Sequence, residues 1–156
     1  MPNIENCYIC PIYQPLQHWQ PLFLGKFMAK RVIFTENAPS PIGPYSQAVW
    51  GGNLLFISGQ IAINPESGEL LTEEGIEEET RQVMENLNAI LTAAGLSFDD
   101  VVKTSIFLED MSTFNRVNEL YSQYFDNDNA PARETVEVSG LPKDVNVEIS
   151  MIAVKP

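Results

Sequence analysis

From Met28 to its C-terminus the chain has no cysteine and no histidine. That absence removes a Ser-His-Asp triad, a Cys-His pair, a His-bound zinc site and an internal disulfide from this stretch. Its chemistry must come from Arg, Lys, Glu, Asp, Tyr, Ser, Thr or backbone groups. Basic residues are also scarce: 9 Lys+Arg stand against 21 Asp+Glu, a formal net charge of −12. Such a balance argues against an electrostatic grip on nucleic acid or anionic lipid, yet one well-placed cation can still hold a small anion. Long hydrophobic runs are missing, because Pro, Gln or Gly interrupts each one well short of the roughly 20 residues that span a bilayer. No membrane partner is expected, and the expected location is cytoplasmic.

What is present fits one globular domain. The chain has 156 residues, 44% hydrophobic and 19% charged, the size and composition of a single soluble fold. The composition is uneven, however. Cys7, Cys10, His18 and four prolines (Pro2, Pro11, Pro15, Pro21) all lie in residues 1–27, with one acid, Glu5, and one base, Lys26. Cys7 and Cys10 have metal-knuckle spacing but lack a second ligand pair, and the nearby prolines do not suit a redox helix. No metal site is expected. A secretory signal is not expected either, because the segment has no basic start and no unbroken apolar core. Residues 1–27 read as an N-terminal extension, either dispensable or an over-long start assignment ahead of Met28. Residues 28–156 read as the domain.

Within that domain, residues 30–34 read as a strand, followed by a Pro-rich loop to Pro44. Two β-rich runs, Tyr45 to Trp50 and Leu54 to Ser58, flank Gly51-Gly52-Asn53 as a hairpin. Ile76, Val83, Met84, Leu87, Ile90, Leu91 and Ala94 recur at three- and four-residue steps, which predicts a helix with Thr72 as N-cap and Gly95 ending it. Glu77, Glu78 and Glu79 read as its solvated first turns. A strand over Val101–Leu108 follows. Then comes a helix capped by Ser112, with a stripe of Phe114, Val117, Leu120, Tyr121 and Tyr124. Residues 133–139 and 145–154 read as a closing pair of strands around a turn at residues 140–144. The order β-β-β-α-β-α-β-β predicts a two-layer α+β fold, a mixed sheet with two helices on one face. In the last strand both alternating faces carry apolar residues, so the second sheet face needs a cover. Another copy of the chain is the economical choice.

Two residues stand out as chemistry. Arg133 shares a strand face with Thr135, and Glu148 sits mid-strand among apolar residues, where an unpartnered carboxylate is costly. One reading is a structural ion pair between Arg133 and Glu148, or an edge carboxylate reaching solvent. The other is a cationic clamp for a substrate carboxylate beside a base that orients water.

Several motifs point further. Pro41-Ile42-Gly43-Pro44-Tyr45-Ser46-Gln47-Ala48, Ser58-Gly59-Gln60-Ile61, Val102-Lys103-Thr104, Val117-Asn118, Pro131-Ala132-Arg133, and Val136-Glu137-Val138 through Leu141-Pro142-Lys143-Asp144-Val145 occur in this order over about residues 30–155. In them the chain resembles the RidA/YjgF/UK114 family of reactive-intermediate deaminases, also called endoribonuclease L-PSP-like. The resemblance implies a chorismate-mutase-like α+β fold and a homotrimer with clefts between subunits. It also implies hydrolysis of 2-imino acids (2-iminopropanoate, 2-iminobutanoate) to 2-keto acids and ammonia, with no cofactor or metal. Carried onto this sequence, Arg133 holds the substrate carboxylate and Glu148 positions and deprotonates water. Tyr45, Ser58, Gly59 and Asn118 line the cleft. Many members carry cysteine two residues after the arginine, where this chain has Thr135, so a thiolate there is excluded and Thr135 offers a hydroxyl and a backbone N–H instead. Two other functions stay open: a regulator that senses keto or imino acids without turnover, and, disfavoured by the −12 charge, an endoribonuclease.

Overall fold

The computed structural model describes residues 30–155; the readings made above for residues 1–27 fall outside them. The elements are β1 (Arg31–Ile33), β2 (Ala48–Gly51), β3 (Leu54–Gln60), α1 (Ile76–Ala94), β4 (Val101–Leu108), α2 (Phe114–Tyr121), β5 (Ala132–Glu137) and β6 (Val147–Val154). This is the predicted order of elements. The strands form one mixed sheet in the order β1-β2-β3-β6-β4-β5, antiparallel except where β4 meets β5.

The hairpin forms as predicted. Gly51 pairs with Leu54, and Gly52 takes φ 69° in the two-residue connection, a left-handed conformation that glycine adopts at little cost. Helix α1 buries Ile76, Val83, Met84, Leu87, Ile90 and Leu91 against the sheet. Gly95 ends it in the left-handed conformation, its N–H donating to the carbonyls of Leu91 and Thr92.

The start of α1 differs from expectation. Thr72 is not the cap: the helix begins after Gly75, whose φ of 97° breaks helical propagation, and no side chain caps it. Glu79 is not solvated. It is fully buried, because it lies three residues after Ile76 and so belongs to the inward stripe. Its carboxylate accepts the backbone N–H of Asn146 at 2.8 Å, the Asn146 side-chain N–H at 2.8 Å and the Val147 N–H at 3.4 Å. Asp110, not Ser112, caps the entry to α2, accepting the Ser112 N–H at 2.8 Å ahead of a tight turn over Met111–Thr113.

The closing strands hold the main correction. β5 and β6 do not pair, because β4 lies between them. β4, α2 and β5 form a strand–helix–strand crossover, which brings its two strands side by side in parallel. The chain then turns through Pro142–Asp144, with Lys143 at φ 60° and Asp144 at φ 55°, and β6 inserts between β3 and β4. A strand at the centre of a sheet must be apolar on its core side, and Val147, Ile149, Met151 and Ala153 are all buried. The opposite sheet face has no cover among the described residues: Val32 is 51% exposed, Phe56 47% and Val136 41%.

Candidate functional site

Register places Arg133 directly opposite Thr104 of β4, so both side chains emerge on the helix-covered face. Thr104 is fully buried, and its hydroxyl oxygen accepts the Tyr121 hydroxyl at 3.1 Å. Beside this pair the Arg133 guanidinium lies over the Tyr121 ring, 4.9 Å from its centroid, and over the Phe114 ring at 5.8 Å. Its Nη1–H donates to Asn118 Oδ1 at 2.8 Å. Phe114, Asn118 and Tyr121 share one face of α2 at four- and three-residue spacing. Burial pushes the Tyr121 phenol above its ordinary value, outweighing the lowering from its bond to Thr104 and from the Arg133 charge. Thr135, two residues along β5, has a hydroxyl oxygen shielded from solvent with no hydrogen-bond partner among the described residues.

Glu148 is placed elsewhere. It stands opposite Phe107 of β4 and alternates with buried Val147 and Ile149, so it points to the uncovered face. A Cβ built on Gly59 would run into the Glu148 carboxyl group, which makes the absence of a side chain at position 59 the reason the carboxylate fits. Glu148, Gly59, Ser58, Tyr45, Ile42 and Pro142 line a cleft of about 250 Å³. Burial in this cleft raises the Glu148 carboxyl above its ordinary 4.5. The Ser58 hydroxyl donates to the Ser46 carbonyl at 2.7 Å, and the Tyr45 oxygen accepts the Ile42 N–H at 3.3 Å. Each of these bonds fixes one wall of the cleft.

The predicted residues thus fall into two groups. Arg133, Asn118 and Thr135 gather at the β5 edge on the helix side; Glu148, Gly59, Ser58 and Tyr45 gather on the open side. Within one chain Arg133 and Glu148 point to opposite faces of the sheet with β4 between their strands, so they form no ion pair. The expected pairing of their two strands is replaced by this arrangement.

Sequence reasoning missed Gln47 and Glu79. Gln47 is buried; its Oε1 accepts the Thr35 N–H at 2.8 Å, and its Nε2 lies 2.9 Å from the Thr35 carbonyl, 3.1 Å from that of Ala38 and 2.9 Å from that of Pro39. It thereby pins the loop leading to Tyr45. The signal for Glu79 was its place on the α1 stripe. For Gln47 there was none beyond a polar residue beside an apolar strand. Among the described residues no cluster of His, Cys, Asp and Glu is suited to a metal ion, and no helix is long and apolar enough to cross a membrane.

A mixed sheet with two helices on one face, carrying these motifs on its edge and open side, defines a recognisable class. The family profile described as Endoribonuclease L-PSP matches residues 35–155. A RutC family protein of Pyrococcus horikoshii is 57% identical over 126 residues, which is 81% of this chain and 98% of that protein. The human 2-iminobutanoate/2-iminopropanoate deaminase is 47% identical over 82% of this chain and 92% of its own length. The crystal structure of Escherichia coli TdcF with bound serine superposes with a TM-score of 0.75 at 43% identity, covering 81% of this chain and 99% of that one. The chain belongs to the Endoribonuclease L-PSP (RidA/YjgF) family.

Proposed function

We propose that this protein hydrolyses small 2-imino acids, of the 2-iminopropanoate and 2-iminobutanoate type, to 2-keto acids and ammonia, in clefts between the subunits of a homotrimer. The observation that carries the reading is the division of the site. An unpaired guanidinium sits at the β5 edge on one face, and a half-buried carboxyl with a raised pKa sits on the other. Each is half of a catalytic pair, and a neighbouring copy supplies the missing half. The uncovered apolar face, with Val32, Phe56 and Val136 exposed, favours such an assembly, because burying apolar surface between copies is favourable.

In this arrangement Arg133 of one protomer grips the substrate carboxylate through paired N–H···O contacts. Thr135 offers its unpartnered hydroxyl to the same carboxylate, and Asn118 holds the guanidinium in place. From the neighbouring protomer, Glu148 takes a proton from water as the water oxygen bonds to C2 of the iminium. The C2–N bond of the resulting carbinolamine then breaks. Ammonia leaves with the proton returned by Glu148, and the hydroxyl proton is lost to leave the keto oxygen. A carboxyl raised by burial is a stronger base than an ordinary one, which suits it to this step. Ser58, Gly59 and Tyr45 shape the cleft around the reacting carbon. The reaction consumes one water and releases one ammonia with no change of oxidation state at C2, so the side chains named suffice for it.

The names of relatives support the reading: one at 47% identity is a 2-iminobutanoate/2-iminopropanoate deaminase, and TdcF was crystallised with serine, an amino acid bearing a carboxylate. The family description also contains the word endoribonuclease. A net charge of −12 disfavours a polyanionic substrate. The direct test generates the imine in situ with a threonine dehydratase and follows 2-ketobutyrate. The wild-type protein accelerates its release and Arg133→Ala does not; no acceleration by wild type refutes the assignment.

A further inference from the structure

Arg133 is exposed at the β5 edge, yet no carboxylate pairs with it: among the described residues the ion pairs are Arg81–Glu78, Lys103–Glu134 and Arg116–Glu77. What surrounds its cationic head is two aromatic rings, Tyr121 at 4.9 Å and Phe114 at 5.8 Å from the guanidinium carbon, and one amide oxygen, Asn118 Oδ1 at 2.8 Å from Nη1.

The difference matters for what Arg133 can bind. A carboxylate partner would both neutralise the charge and occupy two N–H donors. An aromatic ring attracts the cation through its quadrupole and consumes neither. The amide oxygen takes one N–H and is uncharged. The head is therefore fixed while its charge and most of its donors stay available for an incoming anion.

The Tyr121 ring is itself immobilised. Tyr121 is 4% exposed, and its hydroxyl donates to Thr104. Thr104 is the residue paired with Arg133 across the strands. The backbone that carries the arginine and the ring beneath its head are thus referred to the same point in β4.

We infer that Phe114 and Tyr121 are positioning residues, holding the Arg133 guanidinium as a counter-ion-free receptor for the carboxylate of a small 2-keto or 2-imino acid. This rests on the function proposed above and adds what sets its affinity. Such a receptor depends on arginine specifically, since a lysine ammonium has no planar donor fork to offer the same carboxylate.

The experiment measures 2-ketobutyrate binding by calorimetry, together with KM and kcat on imine generated in situ, for wild type, Phe114→Leu, Tyr121→Leu and Tyr121→Phe. Each ring removed weakens 2-ketobutyrate binding about two- to five-fold, the range expected of one cation–π contact. KM rises with it, and kcat changes less. Tyr121→Phe keeps its ring and stays within about two-fold of wild type. In ¹⁵N–¹H spectra the Arg133 Nε–H resonance, shifted by ring currents in the wild type, moves towards the solvent-exposed arginine position in Phe114→Leu. Phe114 is only half-buried, so this variant carries the test if Tyr121→Leu fails to fold. A folded Phe114→Leu protein with wild-type affinity, KM and Nε–H shift overturns the inference while leaving the deaminase reading intact. Wild-type protein with neither affinity for 2-ketobutyrate nor imine hydrolysis overturns both.

Discussion

The Glu148 carboxyl group occupies the space that a side chain at Gly59 would need. The two belong to neighbouring strands, β3 and β6, where the pairing register slips between Ile57 and Gln60. That irregularity brings the carboxyl over bare backbone. Gly59→Ala therefore displaces Glu148 without touching Arg133. The expected outcome is a loss of imine hydrolysis of about ten-fold or more, against a modest fall in Tm, with 2-ketobutyrate affinity nearly retained. Steady-state kinetics beside calorimetric binding reads the split, and unchanged kcat would remove Glu148 from the chemistry.

The raised pKa of Glu148 sets a pH dependence of definite sign. As the proposed base it must be ionised, so kcat is expected to fall on the acid side with a midpoint above 4.5. For stability the direction is opposite. A carboxyl raised in the native state binds its proton more tightly there than in the unfolded chain, so its contribution is present below the unfolded pKa and lost as pH rises through the folded one. Glu148→Gln, which stays neutral, is accordingly at least as stable as wild type at pH 7. That advantage shrinks below about pH 4, where both side chains are uncharged. Denaturant melts of both proteins across this range test it.

A site shared between copies can be reconstituted from two broken ones. On the proposed trimer, Arg133→Ala and Glu148→Gln are each expected to be inactive alone. Unfolded together in equal amounts and refolded, they are expected to give mixed assemblies in which about a quarter of the clefts draw an intact Arg133 from one chain and an intact Glu148 from the next. Recovery to about that fraction of wild-type turnover is the expected result. If both side chains of a site came from one chain, mixing would recover nothing.

Glu79 makes a prediction away from the chemistry. Its buried carboxylate takes the N–H groups of Asn146 and Val147 just ahead of Glu148. Glu79→Ala strands those donors and opens a cavity, at a cost of about 2–4 kcal/mol. Glu79→Gln keeps one acceptor and loses less. Urea denaturation of both variants gives the comparison, and equal stability would show that water replaces the carboxylate.

Much of this was legible in the chain itself. The α1 stripe, the Gly-Gly-Asn hairpin and the alternation in β6 follow from periodicity, which reports on a single element. Periodicity also says which residues share a face within one strand, so Arg133 with Thr135 was readable. It carries no information on which strand lies next to which, and there the reading failed. The insertion of β6 between β3 and β4 is decided by long-range packing. With it went the facing of Glu148 relative to Arg133. Glu79 departs from expectation for the opposite reason: its charge points to solvent, while its position on the stripe and three N–H donors make its carboxylate at home in the core.

The strand at the heart of the sheet, β6, follows every other described strand in the chain. Until residues 147–154 leave the ribosome, β3 and β4 have no neighbour between them, and the hairpin and the crossover unit can only wait as separate fragments with sticky flanks. Joining the two halves of the sheet thus waits on residues 147–154, a non-local pairing of the kind that slows folding. A chain interrupted before them leaves two unpaired strand edges, which favour aggregation.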